Sequence, residues 1–288
     1  KFFDEHAITL MQGSAVAIDR MNRNVALADG RHVDYDHLVL AVGARNRELS
    51  VPGVELQGVF GLRTMADASR VMQSLPNVRN VIVCGAGFIG LEFAAVVSTQ
   101  GRSVRVLELE DRLMARAVSS ETSSCFRAAH EACGVQFEFG QGLSQIEGSG
   151  GSVTQVVTTG GRRLPADLVM LGIGVLPNAH LAAEAGLEIE NGIKVDSSLL
   201  TSDPSISAIG DCASFPNVHA GRRLRLESVQ NAVDHARCVA TRLVGKPTSP
   251  YGAIPWFWSD QGTLRLQIAG LSHGGDATVI VGDQPANE

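Results

Sequence analysis

The chain has 288 residues, room for about two domains. Against 30 Asp and Glu it carries 24 Lys and Arg, a formal charge of −6, and it lacks the basic face or tail of a nucleic-acid binder. Apolar residues at 44% and charged residues at 19% exclude a disordered chain, and no apolar run reaches the ~20 residues of a membrane span.

The opening Lys1-Phe2-Phe3-Asp4-Glu5-His6 has neither an initiator Met nor the apolar region of a secretory signal. Residues 14–18 and 24–28 read as short strands. Asp29-Gly30 is a strong hairpin signal, because both residues accept positive φ, and 31–35 is the returning strand of a small antiparallel meander. Residues 37–42 differ: a continuous apolar run closed by Gly43-Ala44, the texture of a strand buried on both faces of a parallel sheet. The segment 45–63 has the composition of a loop. Residues 64–75 are helical, with Thr64 as cap and Ala66, Ala68, Val71, Met72 and Leu75 as the apolar face.

From 80 to 108 the order is strand (81–84), glycine turn, helix (88–100, closed by Gly101) and strand (104–107), one βαβ unit with a right-handed crossover. A helix over 119–132 and strands at 135–139, 153–158 and 167–173 follow, with Gly148-Ser149-Gly150-Gly151 and Gly160-Gly161 as hairpin turns. Residues 192–211 carry two more strands, and a helix spans about 227–244. Past Pro247 and Pro250 the texture turns to antiparallel strands at 254–258 and 263–268, marking a domain boundary.

Cys84, Cys125, Cys133, Cys212 and Cys238 are odd in number and contain no C-x-x-C pair, so they read as unpaired, mostly buried thiols of a reducing compartment. The eight histidines form no metal-binding spacing, and no metal site is expected.

Gly85-x-Gly87-x-x-Gly90 sits between a predicted strand and a predicted helix, the context that gives this motif its meaning. The first glycine makes the turn, the second admits a pyrophosphate to the backbone, and the third lets helix pack on strand. Glu108 ends the next strand, 23 residues after Gly85. A carboxylate there accepts from both ribose hydroxyls and repels a 2′-phosphate, favouring NAD(H), although Arg112 nearby weighs the other way. The competing reading makes Glu108 a strand-end surface charge. Glu92, two residues past Gly90 on an apolar helix face, either points to the nicotinamide end or is a capping or solvated first-turn carboxylate favoured by the helix dipole. In 201–211 an apolar strand ends in Gly210-Asp211, where an Asp either accepts from a sugar-like chain or caps a helix.

Together these residues resemble the FAD-dependent pyridine-nucleotide oxidoreductases, in which a nicotinamide Rossmann module is inserted into an FAD Rossmann module. Leu40-Ala41-Val42-Gly43-Ala44-Arg45 is similar to the crossing into the insertion, and Gly172-Ile173-Gly174-Val175-Leu176-Pro177-Asn178 to the return. Arg112 to Arg116, Glu227-Ser228-Val229-Gln230-Asn231-Ala232 and Pro255-Trp256-Phe257-Trp258-Ser259-Asp260-Gln261 resemble the ferredoxin-reductase branch. That branch serves Rieske-type dioxygenases and the putidaredoxin and rubredoxin systems. The resemblance implies an α/β fold of two nested Rossmann-like modules. The FAD module (1–45 and 179–247) is incomplete, the NAD module is 46–178, and 248–288 begin an α+β C-terminal domain.

It implies FAD and NAD as cofactors and an NADH:ferredoxin oxidoreductase passing electrons through flavin to a small 2Fe–2S ferredoxin. It implies no nucleic-acid or membrane partner and a cytoplasmic location. The nicotinamide nucleotide would rest on Gly85, Gly87, Phe88, Ile89, Gly90, Glu108 and Arg116, with Gly172, Ile173 and Gly174. FAD would rest on Val16, Gly43, Arg63, Asp211, Glu227 and Val229, with Asp211 on the ribityl chain. Glu92 and Trp258 would flank the flavin–nicotinamide junction as catalytic neighbours. Alternatives are a disulfide-, nitrite- or peroxide-type reductase and a non-catalytic NADH-sensing flavoprotein.

Plainer readings stand beside these. Val16 and Val229 could be core. Trp256, Phe257 and Trp258 could be a core cluster, the preferred reading for Trp256. Arg222, Arg223 and Arg225 are either a solvated turn or a patch that steers an acidic ferredoxin. The family's first strand–G-x-G-x-x-G–helix has no counterpart in 1–60, and the C-terminal sheet stops after about three strands. The resemblance thus implies a piece of a parent nearer three domains, with any redox Cys pair upstream.

Overall fold

Strand Asn80–Cys84 is the centre of a five-stranded sheet in the computed structural model, which describes residues 2–272 and 276–282. The spatial order is Val59–Gly61, Leu168–Leu171, Asn80–Cys84, Ser103–Glu108, Val135–Phe139, all parallel. The inner strands Asn80–Cys84 and Leu168–Leu171 are largely apolar runs buried on both faces, as is usual in parallel sheets. Val81, Val83, Val104, Val106, Leu168 and Met170 share one core with Leu91, Ala94 and Val97 of helix Phe88–Ser98. Ile82, Cys84, Leu107 and Val169 share the other with Leu143, Ile146, Val153, Val156 and Leu164 of an antiparallel three-stranded sheet. Alternating side chains therefore bind helices to one face of the parallel sheet and a small β layer to the other.

This arrangement belongs to a unit of residues 45–176 with 257–288. Its hairpin Leu143–Ser149 to Ser152–Thr158 turns at Gly150 and Gly151 (φ 61° and 84°), the paired positive φ values that a two-residue turn requires. Thr64 and Asp67 cap helix Met65–Ser74 reciprocally, Asp67 N–H donating to Thr64 Oγ1 at 3.1 Å and Thr64 N–H to Asp67 Oδ2 at 2.8 Å. Strands Trp256–Gln261 and Leu264–Ala269 form a two-stranded sheet, and Leu264, Leu266 and Ile268 pack on the helical core.

Residues 1–44 with 177–256 form the other unit. Strands Ala15–Asp19, Asn24–Leu27 and His32–Asp34 make the expected meander. Leu38–Leu40 pairs in parallel with Ile206–Ala208. Ile193–Lys194 lies parallel to Ala213–Asn217, which pairs antiparallel with Arg222–Leu224. Leu40, Ile193, Ile206, Phe215 and Val239 of helix Val229–Leu243 are among its core.

Several expectations change. The segment 45–63 holds an edge strand, Val59–Gly61, too short to carry a readable period. In the run 37–42 only Leu40 is fully buried within the strand, because Leu38–Leu40 has one paired neighbour among the described residues. All five cysteines are free, but only Cys84 and Cys212 are buried. Cys133 follows helix Ser120–Ala132 and is exposed. Among the described residues no helix is long and apolar enough to cross a membrane, and no side-chain cluster has the makings of a metal site. Residues 283–288, where the expected C-terminal sheet breaks off, lie outside the described residues.

Candidate dinucleotide and flavin sites

The three motif glycines do three different things. Gly85 leaves strand Asn80–Cys84 at φ 99°, and a Cβ there would stand 2.4 Å from the Gly172 carbonyl oxygen. Gly90 lies in the first turn of helix Phe88–Ser98, where a Cβ would meet the Gly85 carbonyl oxygen at 2.2 Å. Gly87 is different: at φ −80° its Cβ position meets nothing within 4 Å. Two glycines close-pack the turn, and the third opens it. Gly87 is also the N-cap and supplies no side-chain cap, so the first N–H groups of the helix meet no capping side chain. Gly172 N–H donates to Cys84 O at 2.8 Å, which ties the neighbouring strand end to the turn. The open turn lies at the carboxyl ends of parallel strands, where α/β sheets bind ligands.

Glu108 is more than a strand-end charge. Its Oε2 accepts the Ala86 N–H at 2.6 Å and its Oε1 the Glu110 N–H at 3.0 Å, so the carboxylate is turned onto the glycine loop. Arg112, the residue that weighed toward a phosphate, donates to Val118 O at 2.8 Å and to Ala115 O at 2.6 Å. Its guanidinium braces its own loop. Arg116 and Ile89 are exposed, Phe88 is half-buried with its ring 4.5 Å from that of Phe257, and Ile173 and Gly174 follow Gly172 on the adjacent strand end.

Glu92 is the fifth residue of its helix, beyond the first turn, so it is not a cap. Its Oε1 accepts from the buried Ser259 hydroxyl at 2.6 Å. Trp256 and Trp258 are 39% and 38% exposed, which overturns the core reading of Trp256. Along Trp256–Gln261 the burial alternates, so Ser259 and Gln261 are buried while both tryptophans lie on the outer face. Arg63 is exposed just before the Thr64 cap, and its N–H donates to Asp67 Oδ2 at 3.1 Å.

Val16, Gly43, Asp211, Glu227 and Val229 all belong to the unit of residues 1–44 and 177–256. Asp211 lies in the 3₁₀ turn Gly210–Cys212 just past strand Ile206–Ala208. Ile209 N–H donates to Leu40 O at 3.0 Å, so the 37–43 and 206–211 segments end side by side. Gly210 (φ 70°) donates its N–H to His235 Nδ1 at 3.1 Å, and the Asp211 carbonyl accepts from Arg225 Nη1 at 3.0 Å. Val16 and Val229 are 51% and 62% exposed, so they are not core. A strand-end carboxylate has the chemistry to accept from the polyol chain of a flavin, and exposed apolar side chains have the chemistry to cover its rings. Arg223 donates to Val195 O and Ser214 O, both at 2.6 Å, and Arg225 pairs with Glu227 at 2.6 Å. The 222–225 arginines are therefore largely spent within the fold, leaving Arg222 exposed.

Sequence reasoning missed Ser259, Gln261 and His235. No sequence signal singled out any of the three.

The geometry defines a dinucleotide-binding α/β protein. A family model described as pyridine nucleotide-disulphide oxidoreductase matches residues 3–236, and one described as reductase C-terminal matches residues 256–288. The chain belongs to the pyridine nucleotide-disulphide oxidoreductase family. It is 48% identical over 283 residues to rhodocoxin reductase of Rhodococcus erythropolis, covering 98% of this chain and 66% of that protein. It is 40% identical over 285 residues to a putidaredoxin reductase of Pseudomonas putida, covering 96% and 66%. The ferredoxin reductase for the CYP199A2 system of Rhodopseudomonas palustris superposes with a TM-score of 0.96 at 50% identity, covering 98% of this chain and 70% of that one. A covalent putidaredoxin reductase–putidaredoxin complex matches at 0.93 and 38% identity, covering 99% and 70%. The chain spans about two thirds of the length of these relatives.

Proposed function

We propose that this chain carries NADH:ferredoxin oxidoreductase chemistry, with FAD as the intermediate carrier and a small 2Fe–2S ferredoxin as the electron acceptor. The observation that carries the choice of NADH is Glu108, whose carboxylate lies on the glycine loop while Arg112 is committed elsewhere. Gly87 admits the pyrophosphate to the helix N-terminus, and Glu108 accepts from the adenosine ribose and repels a 2′-phosphate. Glu92 orients the nicotinamide end, with Trp258 on the exposed face of its strand. Asp211 holds the ribityl chain, with Gly43, Glu227, Val16 and Val229 of the same unit beside the flavin. Bound flavin supplies the conversion between hydride and single-electron transfer, and the chain supplies binding and orientation. The names of the relatives, a rhodocoxin reductase and a putidaredoxin reductase–putidaredoxin complex, support a ferredoxin partner. We place the protein in the cytoplasm, a reading supported by five free thiols.

Glu108→Ala should raise KM for NADH by roughly 10- to 100-fold and that for NADPH far less, the loss of charge-assisted hydrogen bonds worth ~1.5–3 kcal/mol. Glu108→Arg should reverse the preference between the two. Steady-state kinetics of the flavin-loaded protein with each cofactor check this, and unchanged KM values for both would remove Glu108 from the site.

A further inference from the structure

Glu92 stands at the end of a buried polar chain that the glycine motif does not require. Ser259 Oγ donates to Glu92 Oε1 at 2.6 Å, Gln261 Nε2 donates to Ser259 Oγ at 3.1 Å, and Gln261 Oε1 lies 2.9 Å from His130 Nε2. Ser259, Gln261 and His130 are 1%, 3% and 3% exposed. All four residues belong to one unit: Glu92 and His130 on helices Phe88–Ser98 and Ser120–Ala132, the other two on strand Trp256–Gln261.

The direction of the hydrogen bonds follows from the proton inventory. The one Ser259 proton goes to the carboxylate, so its oxygen can only accept from Gln261. That orients the Gln261 amide with its NH2 toward Ser259 and the Met114 sulfur (3.5 Å), and its carbonyl toward His130. His130 must then carry its proton on Nε2. Every donor points toward Glu92, and each bond polarises the next. Glu92 Oε2 has no hydrogen-bond partner among the described residues. Apolar side chains would fill this strand face without the cost of burying polar groups. A relay of directed hydrogen bonds ending on a carboxylate with one open oxygen has the form of a positioning device.

We propose that Ser259, backed by Gln261 and His130, is a positioning residue that fixes the Glu92 carboxylate with one oxygen held and the other presented to the carboxamide of the nicotinamide. This rests on the dinucleotide reading above. The test compares NAD+ with ADP-ribose, which lacks the nicotinamide ring, by calorimetric titration of the flavin-loaded protein. ADP-ribose reads the glycine loop and Glu108; the ratio of the two dissociation constants reads the nicotinamide end.

Ser259→Ala is expected to raise the NAD+ dissociation constant about fivefold and to leave that of ADP-ribose within about twofold. In a Glu92→Ala background the same substitution should leave the ratio unchanged, because Ser259 acts through Glu92. Equal weakening of both ligands, or an effect that persists without Glu92, overturns the proposal. A parent protein that fails to bind ADP-ribose overturns the dinucleotide reading and this proposal with it. Where Ser259→Ala does not yield folded protein, the near-isosteric, weaker donor of Ser259→Cys takes its place, and an unchanged ratio there overturns the proposal.

Discussion

Gly85→Ala is expected to destabilise the fold severely under conditions where Gly87→Ala leaves it intact and removes only the ligand. Gly85 combines two obstacles. Its φ of 99° is one that an L side chain rarely adopts, and its Cβ would stand 2.4 Å from the Gly172 carbonyl oxygen and 2.9 Å from the carbon. Both are backbone atoms at the end of a buried strand, and Gly172 N–H is itself bonded to Cys84 O at 2.8 Å, so they cannot retreat cheaply. The left-handed conformation costs ~1–2 kcal/mol and the overlap ~1–3 kcal/mol more. Against a typical total stability of ~5–15 kcal/mol, that takes a large share.

Gly87 meets neither obstacle. Its φ of −80° and ψ of 179° suit alanine, and nothing lies within 4 Å of the added carbon. Stability should move by less than ~1 kcal/mol, in either direction. The added methyl would occupy the space through which a pyrophosphate reaches the backbone, so NADH affinity should fall at least ~10-fold. Thermal denaturation and NADH titration of the two variants separate the roles. A Gly87→Ala protein that binds NADH normally would place the pyrophosphate elsewhere.

The same contrast explains what could be read without coordinates. Strands Asn80–Cys84 and Ser103–Glu108 and helix Phe88–Ser98 were legible because long apolar runs meet glycines that only one geometry uses. Val59–Gly61 was not, since three residues carry no period and pairing with Leu168–Leu171 alone makes it a strand. The segment Trp256-Phe257-Trp258-Ser259-Asp260-Gln261 failed for another reason. Aromatics occupy both faces, so alternation cannot say which faces the core, and the face with Ser259 and Gln261 was chosen by their hydrogen-bond partners. Arg112 misled because charge near Glu108 was visible but the carbonyls of Ala115 and Val118 that absorb it were not. His235 was silent: a lone histidine in an amphipathic helix looks like a surface residue, and its partner lies 25 positions earlier.

That histidine makes the fold acid-sensitive in a defined window. His235 is fully buried, with its ring edge-on to Phe215 at 4.7 Å and to Tyr251 at 4.4 Å. Because Nδ1 accepts the Gly210 N–H, that nitrogen must be unprotonated, and Nε2 carries the proton with no hydrogen-bond partner among the described residues. Burial pushes its pKa down from 6.5 to about 4, and the neighbouring Asp234 only partly opposes the shift. The folded pKa is thus below the unfolded one. Above pH ~6.5 both states are neutral and stability is flat; below it the unfolded chain takes up a proton that the folded chain refuses. Stability should fall from pH ~6.5 to ~4, by up to about 3 kcal/mol from this group at ~1.4 kcal/mol per pKa unit. Burial also lowers the pKa of His130 and His37, which adds loss of the same sign. Denaturant unfolding of the protein and of His235→Asn across this range checks the claim. The variant should be less stable at pH 7 and show a shallower loss on acidification, because asparagine can accept from Gly210 but cannot titrate. An equally steep loss in the variant would assign the acid sensitivity to other groups. Protonation at Nδ1 also takes away the acceptor that holds Gly210, the residue beside Asp211. Flavin retention, read by fluorescence, should therefore decline through the same pH window as the fold.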